Sequence, residues 1–247
     1  MSNLFSYNWY LKEAPASFQV DLEYAGKFDL LGDFTTLLYI TCLPADPEQT
    51  AFGRREQSLL VKVQKRISQL LGDAGAFVGS IDLQAQRILY YYTNDAKRLL
   101  AINAYCGKEG RLALTCTRAN EPNQQTYYQL LYPDGVKLQG VENARLISAM
   151  KQRGDLLSAH RRINLHLRFY GAPGMQRFAD LAREEGFAIG NMDFIPEREY
   201  PHGLTVHCLL PLEWEPLTAA TTELIALSAG CQGILEYVDC AFIEKRF

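Results

Sequence analysis

Two hydrophobic spacings alternate along the chain, and they follow the same order in each half. From Arg161 onward, Ile163, Leu165, Leu167 and Phe169 are apolar while Asn164, His166 and Arg168 are polar. This is the period of two of a strand with one buried face. The spacing then becomes helical, with Met175, Phe178, Leu181 and Ala182 on one stripe and Gly186 placed as a left-handed cap. Residues 187–196 and 204–210 predict two more strands, joined through Tyr200-Pro201-His202-Gly203. Pro216 opens a second helix with Leu217, Ala220, Leu224 and Leu227 on one face up to Gly230, and 234–243 predicts the closing strand.

The stretch 36–118 spells the same order with other residues. Leu38, Ile40 and Cys42 alternate with Tyr39 and Thr41. Asp46-Pro47-Glu48-Gln49 predicts a helix start, with an Asp cap, Pro at the first helical position and Gln at the third; Gly53 delays its regular part. Leu60, Val63, Ile67 and Leu71 form its stripe, ended by Gly72. Strands follow at 76–82 and 87–93, then a helix capped by Asn94 with Leu99, Ile102 and Cys106 inward, then a strand marked by Leu112, Leu114 and Cys116. The order strand–helix–strand–strand–helix–strand is that of the split βαβ plan. The expected fold class is therefore α+β, with two ferredoxin-like domains in tandem, each an antiparallel sheet with both helices on one side. Two segments lie outside this order. Residues 7–12 and 17–23 predict a hairpin around Glu13-Ala14-Pro15, and 119–154 predicts a loop followed by a helix with Val141, Ile147 and Met150 inward. That connector carries Tyr127, Tyr128, Leu130, Leu131 and Tyr132, too apolar for a floppy tether. Domains of 1–135 and 136–247 are expected.

Composition suits this plan, since 48% hydrophobic and 21% charged residues in 247 supply enough apolar material for two cores. No apolar run approaches the roughly 20 residues of a membrane span. Met1-Ser2-Asn3-Leu4 lacks the basic and apolar regions of a secretory signal, so a cytoplasmic location is expected and no membrane partner. The six Cys are scattered without a CxxC pair and read as buried free thiols of a reducing compartment. A net charge of −3 gives no basic field for simple electrostatic binding of nucleic acid.

Motifs for catalysis are missing: there is no GxSxG elbow, HExxH helix or Walker-type loop. Gly72-Asp73-Ala74-Gly75 with Gly79 follows a helix and precedes a strand, the reverse of a phosphate cradle. His207 and Cys208 are neighbours on a strand and point to opposite faces, so they do not share a metal. No metal, no cofactor and no catalytic residue is expected. The free sheet faces offer more. In the second copy the first and third strands lie side by side, which places His166 near His207 with Arg168 and Thr205 close by. Tyr237 and Asp239 join them from the last strand. The candidate binding set is His166, Arg168, His207, Tyr237 and Asp239. The first copy presents Tyr39 with Tyr90 and Tyr92, or their neighbour Tyr91, as aromatics that could stack bases.

Gly154-Asp155-Leu156-Leu157-Ser158, the strand 163–169 with its central His166, and Phe178-Ala179-Asp180-Leu181-Ala182 leading to Gly186-Phe187 resemble the regulator of ribonuclease E activity B family. Residues 235–244 are similar to that family's closing strand, with Cys240-Ala241 where the family has Gly-Trp-Gly. Asn8-Trp9-Tyr10, Leu37-Leu38-Tyr39-Ile40 and 127–133 resemble a bacterial domain of unknown function often fused to such a domain. The resemblance implies a cytoplasmic, non-enzymatic regulator that binds another protein, a ribonuclease, and inhibits RNA decay. RNA binding through the tyrosine-bearing N-terminal sheet is the alternative reading. An enzyme with a small-molecule pocket between the two sheets is the third.

Overall fold

The computed structural model describes residues 4–24 and 34–244. The chain divides into two compact units between Pro133 and Asp134.

The N-terminal unit contains β1 (Leu4–Leu11), β2 (Ala14–Asp21), β3 (Thr36–Pro44), α1 (Arg54–Leu71), β4 (Gly75–Leu83), β5 (Gln86–Thr93), α2 (Ala96–Cys106) and β6 (Leu112–Asn120). Its sheet runs in the order β1-β2-β4-β5-β3-β6, and all pairings are antiparallel. Within it, β6-β3-β5-β4 is the fourth-first-third-second order of the split βαβ plan, as the hydrophobic pattern predicts. The hairpin β1–β2 extends the sheet beyond β4. One face buries Leu38, Ile40, Cys42, Leu89 and Tyr91 against the Leu60, Val63, Ile67 and Leu71 stripe of α1 and Leu99, Ile102 and Cys106 of α2. Burial pushes the Cys42 thiol up to about 12, so it behaves as a small core side chain.

Two local starts differ from the sequence reading, and a third falls at the later position that Gly53 indicates. The hairpin turns at Lys12-Glu13, both at positive φ, while Ala14 and Pro15 belong to β2. Pro15 is tolerated because β2 pairs with β4 only from Ser17, so no second ladder lacks its N–H. Asp46 closes only a turn, accepting from the Glu48 N–H, and α1 starts after Gly53, whose N–H donates to Glu56 Oε2 at 2.7 Å. Asp95 rather than Asn94 caps α2, its Oδ1 accepting from the Lys97 N–H at 2.8 Å.

A π-helical turn, Thr126–Leu131, follows β6 and packs on β2 and β4. It buries Tyr127 and Leu131 completely. Tyr127 donates to the Asp21 carbonyl at 2.8 Å, Tyr7 donates to the Leu131 carbonyl at 2.7 Å, and Tyr92 donates to Glu121 Oε2 at 2.7 Å. This overturns the base-stacking surface. Tyr92 is fully buried, Tyr90 retains 7% exposure, and Tyr91 points to the helix side, where its hydroxyl donates to the Gln64 carbonyl. Only Tyr39 is half-buried.

The C-terminal unit opens with α3 (Gly135–Gln152), capped by Asp134, whose Oδ1 accepts from the Lys137 N–H at 2.9 Å. There follow β7 (His160–Phe169), α4 (Ala172–Glu184), β8 (Ala188–Phe194), β9 (His202–Pro211), α5 (Trp214–Ala229) and β10 (Gly233–Cys240). The antiparallel sheet order β10-β7-β9-β8 is again fourth-first-third-second. Both units are thus ferredoxin-like. Ile163, Leu165, Leu167 and Phe169 pack with Leu204 and Val206 under Phe178 and Ala182 of α4 and Leu217 and Leu224 of α5. The helix α3 lies against α5 through Met150 and a buried hydrogen bond from Asn143 Nδ2 to Thr221 Oγ1 at 2.9 Å. No helix among the described residues is long and apolar enough to cross a membrane.

Candidate functional site

The two helices and the apolar residues of β7 and β9 occupy one face of the C-terminal sheet. Strand alternation therefore sends Arg162, Asn164, His166 and Arg168 of β7, and Gly203, Thr205, His207 and Leu209 of β9, to the other face. From β10, Tyr237 stands opposite His166 and Asp239 opposite Asn164.

Polar contacts organise this face in three groups. At its centre, His166 Nε2 lies 2.9 Å from Asp239 Oδ2 and Nδ1 lies 3.1 Å from Thr205 Oγ1. With the carboxylate accepting at Nε2, a neutral ring leaves Nδ1 to accept the Thr205 hydroxyl, so one tautomer is fixed. Tyr237 stacks on the imidazole at 4.0 Å between centroids and 12° between planes, and half of its own surface remains exposed. Carboxylate, imidazole and hydroxyl stand in the order of a nucleophile relay. Here, however, the hydroxyl sits on a strand within the sheet and the Tyr237 ring covers the imidazole, so the arrangement ties β7, β9 and β10 together through their side chains.

The second group surrounds Arg168. Its guanidinium donates from Nε to Glu236 Oε2 at 3.0 Å and pairs with Asp193 at 3.1 Å, leaving the residue 7% exposed. Arg198 holds the other oxygen of Glu236. A bulge between Leu235 and Tyr237 leaves Glu236 and Tyr237, neighbours in the chain, both on this face. Gly203 makes room for Asp193, since a Cβ there would overlap the Asp193 carboxylate.

The third group lies toward the start of β7. Asn164 Nδ2 donates to Asp239 Oδ1 at 2.7 Å, and Asn164 Oδ1 accepts from Arg162 Nε at 3.0 Å. Arg162 Nη2 lies 3.2 Å from His207 Nδ1. Burial, and then the Arg162 charge, hold His207 below the usual imidazole value.

The five residues singled out from the sequence all reach this face but do not form one cluster. His166, Tyr237 and Asp239 meet, His207 belongs with Arg162, and Arg168 is enclosed by two carboxylates. Arg162, Asn164, Thr205, Asp193, Glu236 and Arg198 complete the network. Strand parity alone places the first three on this face. Glu236 and Tyr237 share the face through a bulge that the sequence does not announce. Among the described residues no group of three or more His, Cys, Asp or Glu is arranged to hold a metal.

Fold and face together define a ferredoxin-like domain with one helix-covered side and one open side bearing a fixed polar network. Residues 141–237 match the family model described as regulator of ribonuclease activity B, and the match begins within α3 and ends in β10. The matched family is thus one of regulators. No curated relative matches the chain. Solved structures similar to it include a protein of unknown role from Galdieria sulphuraria, 10% identical over 85% of this chain and 98% of that one, with a TM-score of 0.23. Another is a protein assigned as a glycine cleavage system transcriptional repressor, 10% identical over 85% and 99%, with a TM-score of 0.25.

Proposed function

We propose that this chain is a non-enzymatic, cytoplasmic protein-binding regulator of a bacterial ribonuclease, and that it docks its partner on the open sheet face of the C-terminal unit. The observation that carries this reading is the family match over 141–237, which takes in most of α3, all of β7 and β9 and the part of β10 that brings Tyr237 to the face. The proposed contact set is His166, His207, Tyr237 and Asp239, with Arg168 as the support beneath them. Tyr237 is the aromatic anchor, exposed by half and pre-oriented by its stack on His166.

Affinity purification of the full chain from its native host, with RNase added to a parallel sample, tests this. The partner is expected to survive RNase. Tyr237→Ala is expected to weaken its binding by about 2 kcal/mol, roughly thirtyfold, with unchanged circular dichroism. Arg168→Glu is unsuitable for this purpose, because it would set a third carboxylate between Asp193 and Glu236 in a buried position. Loss of every partner on RNase treatment, or full binding by Tyr237→Ala, would remove the proposal.

A further inference from the structure

The charges on the open face of the C-terminal sheet are unevenly compensated. Arg168 is shared between Asp193 and Glu236, Arg198 is held by Glu236, and Asp239 is held by His166 and Asn164. Arg162 has no carboxylate partner among the described residues: its contacts are an amide oxygen and an imidazole nitrogen. Both contacts are neutral. A guanidinium only donates, so His207 Nδ1 must accept, and the proton of the neutral ring then resides on Nε2. Arg162 therefore keeps its whole charge while its Nε and Nη2 are pinned, and its Nη1 has no partner in the network.

The pinning is transmitted through side chains that are themselves fixed. Asn164 is anchored on Asp239, Asp239 on His166, and His166 on Thr205. A Cβ at Gly190 would lie 3.3 Å from His207 Nδ1, so the glycine leaves the imidazole its place. Beside this corner, directly opposite Arg162 in the ladder, Leu209 exposes 68% of its surface. An oriented, uncompensated guanidinium with an apolar side chain next to it has lost much of its conformational freedom before any ligand arrives.

We propose that Arg162, His207 and Leu209 form a recognition corner for a carboxylate of an acidic, partly apolar segment of the partner protein. This rests on the proposed docking face and names the chemistry it reads. A guanidinium takes a carboxylate through paired donors, and one local positive charge suffices for one carboxylate. A nucleic-acid backbone is disfavoured, because Asp193, Glu236 and Asp239 share the face and the chain carries a net charge of −3.

The test titrates the full chain, carrying ¹⁵N-labelled arginine, with three probes: a Glu-Leu repeat peptide, the same peptide with Gln for Glu, and oligouridylate. The Arg162 Nε–H signal is expected to shift with the Glu-Leu peptide alone. Arg162→Gln is expected to weaken that peptide about tenfold, whereas Arg183→Gln, on the helix-covered side and already paired with Asp180, leaves it unchanged. Equal response to the Gln peptide, or undiminished binding by Arg162→Gln, overturns the corner. A response to oligouridylate exceeding that to the peptide overturns it in favour of phosphate. The broader reading fails separately: if Tyr237→Ala releases the RNase-resistant partner while Arg162→Gln retains it, the docking face stands and this corner does not.

Discussion

Asp155→Ala is expected to lower the unfolding free energy of the protein by about 3–5 kcal/mol, the scale of removing one partner from a buried ion pair. Asp155 and Arg161 have side chains 0% and 2% exposed, and Arg161 Nη1 donates to Asp155 Oδ2 at 2.7 Å. The same oxygen accepts from the Ile243 N–H at 2.8 Å, and Arg161 also donates to the carbonyls of Leu156 at 2.6 Å and Ala241 at 3.1 Å. The pair thus fastens the segment after β10 to the entrance of β7. Burial opposes ionisation of Asp155, but the Arg161 and Ile243 donors outweigh it and hold the carboxyl below its ordinary value. Removing the carboxylate leaves a guanidinium in the interior with only carbonyls and the Cys240 thiol to face. The double change Asp155→Leu with Arg161→Met is expected to recover part of the loss, since neither charge then needs compensation. Hydrogen exchange of β7 and β10 peptides in the full chain gives the readout. A loss under about 1 kcal/mol would show that the pair is solvated in solution.

The same pair sets an acid limit. A carboxyl whose folded value lies below its unfolded value of about 3.9 contributes stability that is complete above that value. The contribution is lost as pH falls through the folded value. The wild type is therefore expected to lose stability over this acid range more steeply than Asp155→Ala, which lacks the group. Parallel acid limbs for the two proteins would contradict the assignment.

Which features were legible in the sequence follows from the range over which each is determined. Alternation in 163–169 and the stripes at Leu60–Leu71 and Leu217–Leu224 are local consequences of burial on one side, and from their order the sheet of each unit follows. Boundaries were less legible because neighbouring residues compete for one role. Asn94 and Asp95 are both capping types, and the backbone selected Asp95. Likewise, the Asp46-Pro47 start lost to Gly53, where Glu56 reaches back to the N–H. At the site, parity assigned the correct face to His166, Arg168, His207, Tyr237 and Asp239, yet it carries no information on depth. Arg168 is enclosed because β8 brings Asp193 from one side and β10 brings Glu236 from the other, two tertiary events without a sequence signature. The cover of the tyrosine face was illegible for a related reason. The connector's apolar residues required burial, but nothing local specified the adjacent sheet face as their destination.

That destination makes Tyr127→Ala the second large effect, expected to cost about 3–5 kcal/mol as a fully buried aromatic truncation. The Tyr127 ring meets Tyr128 edge-on at 4.9 Å and Tyr24 at 6.2 Å, and its hydroxyl reaches Asp21 across the end of β2. Its removal deletes both the apolar filling and the donor to a buried carbonyl. Tyr127→Phe keeps the ring and loses only the hydrogen bond, so about 1–3 kcal/mol is expected. The gap between the two variants separates packing from hydrogen bonding. Because Tyr127 covers the neighbourhood of Tyr92, the alanine variant should also raise the reactivity of Tyr92 toward tetranitromethane, whereas the phenylalanine variant should not. Equal destabilisation by both variants would mean that the hydroxyl, not the ring, holds the turn in place. Unchanged Tyr92 reactivity in Tyr127→Ala would mean that the π-helical turn stays seated without its anchor, and the covering role given to Tyr127 would then be wrong.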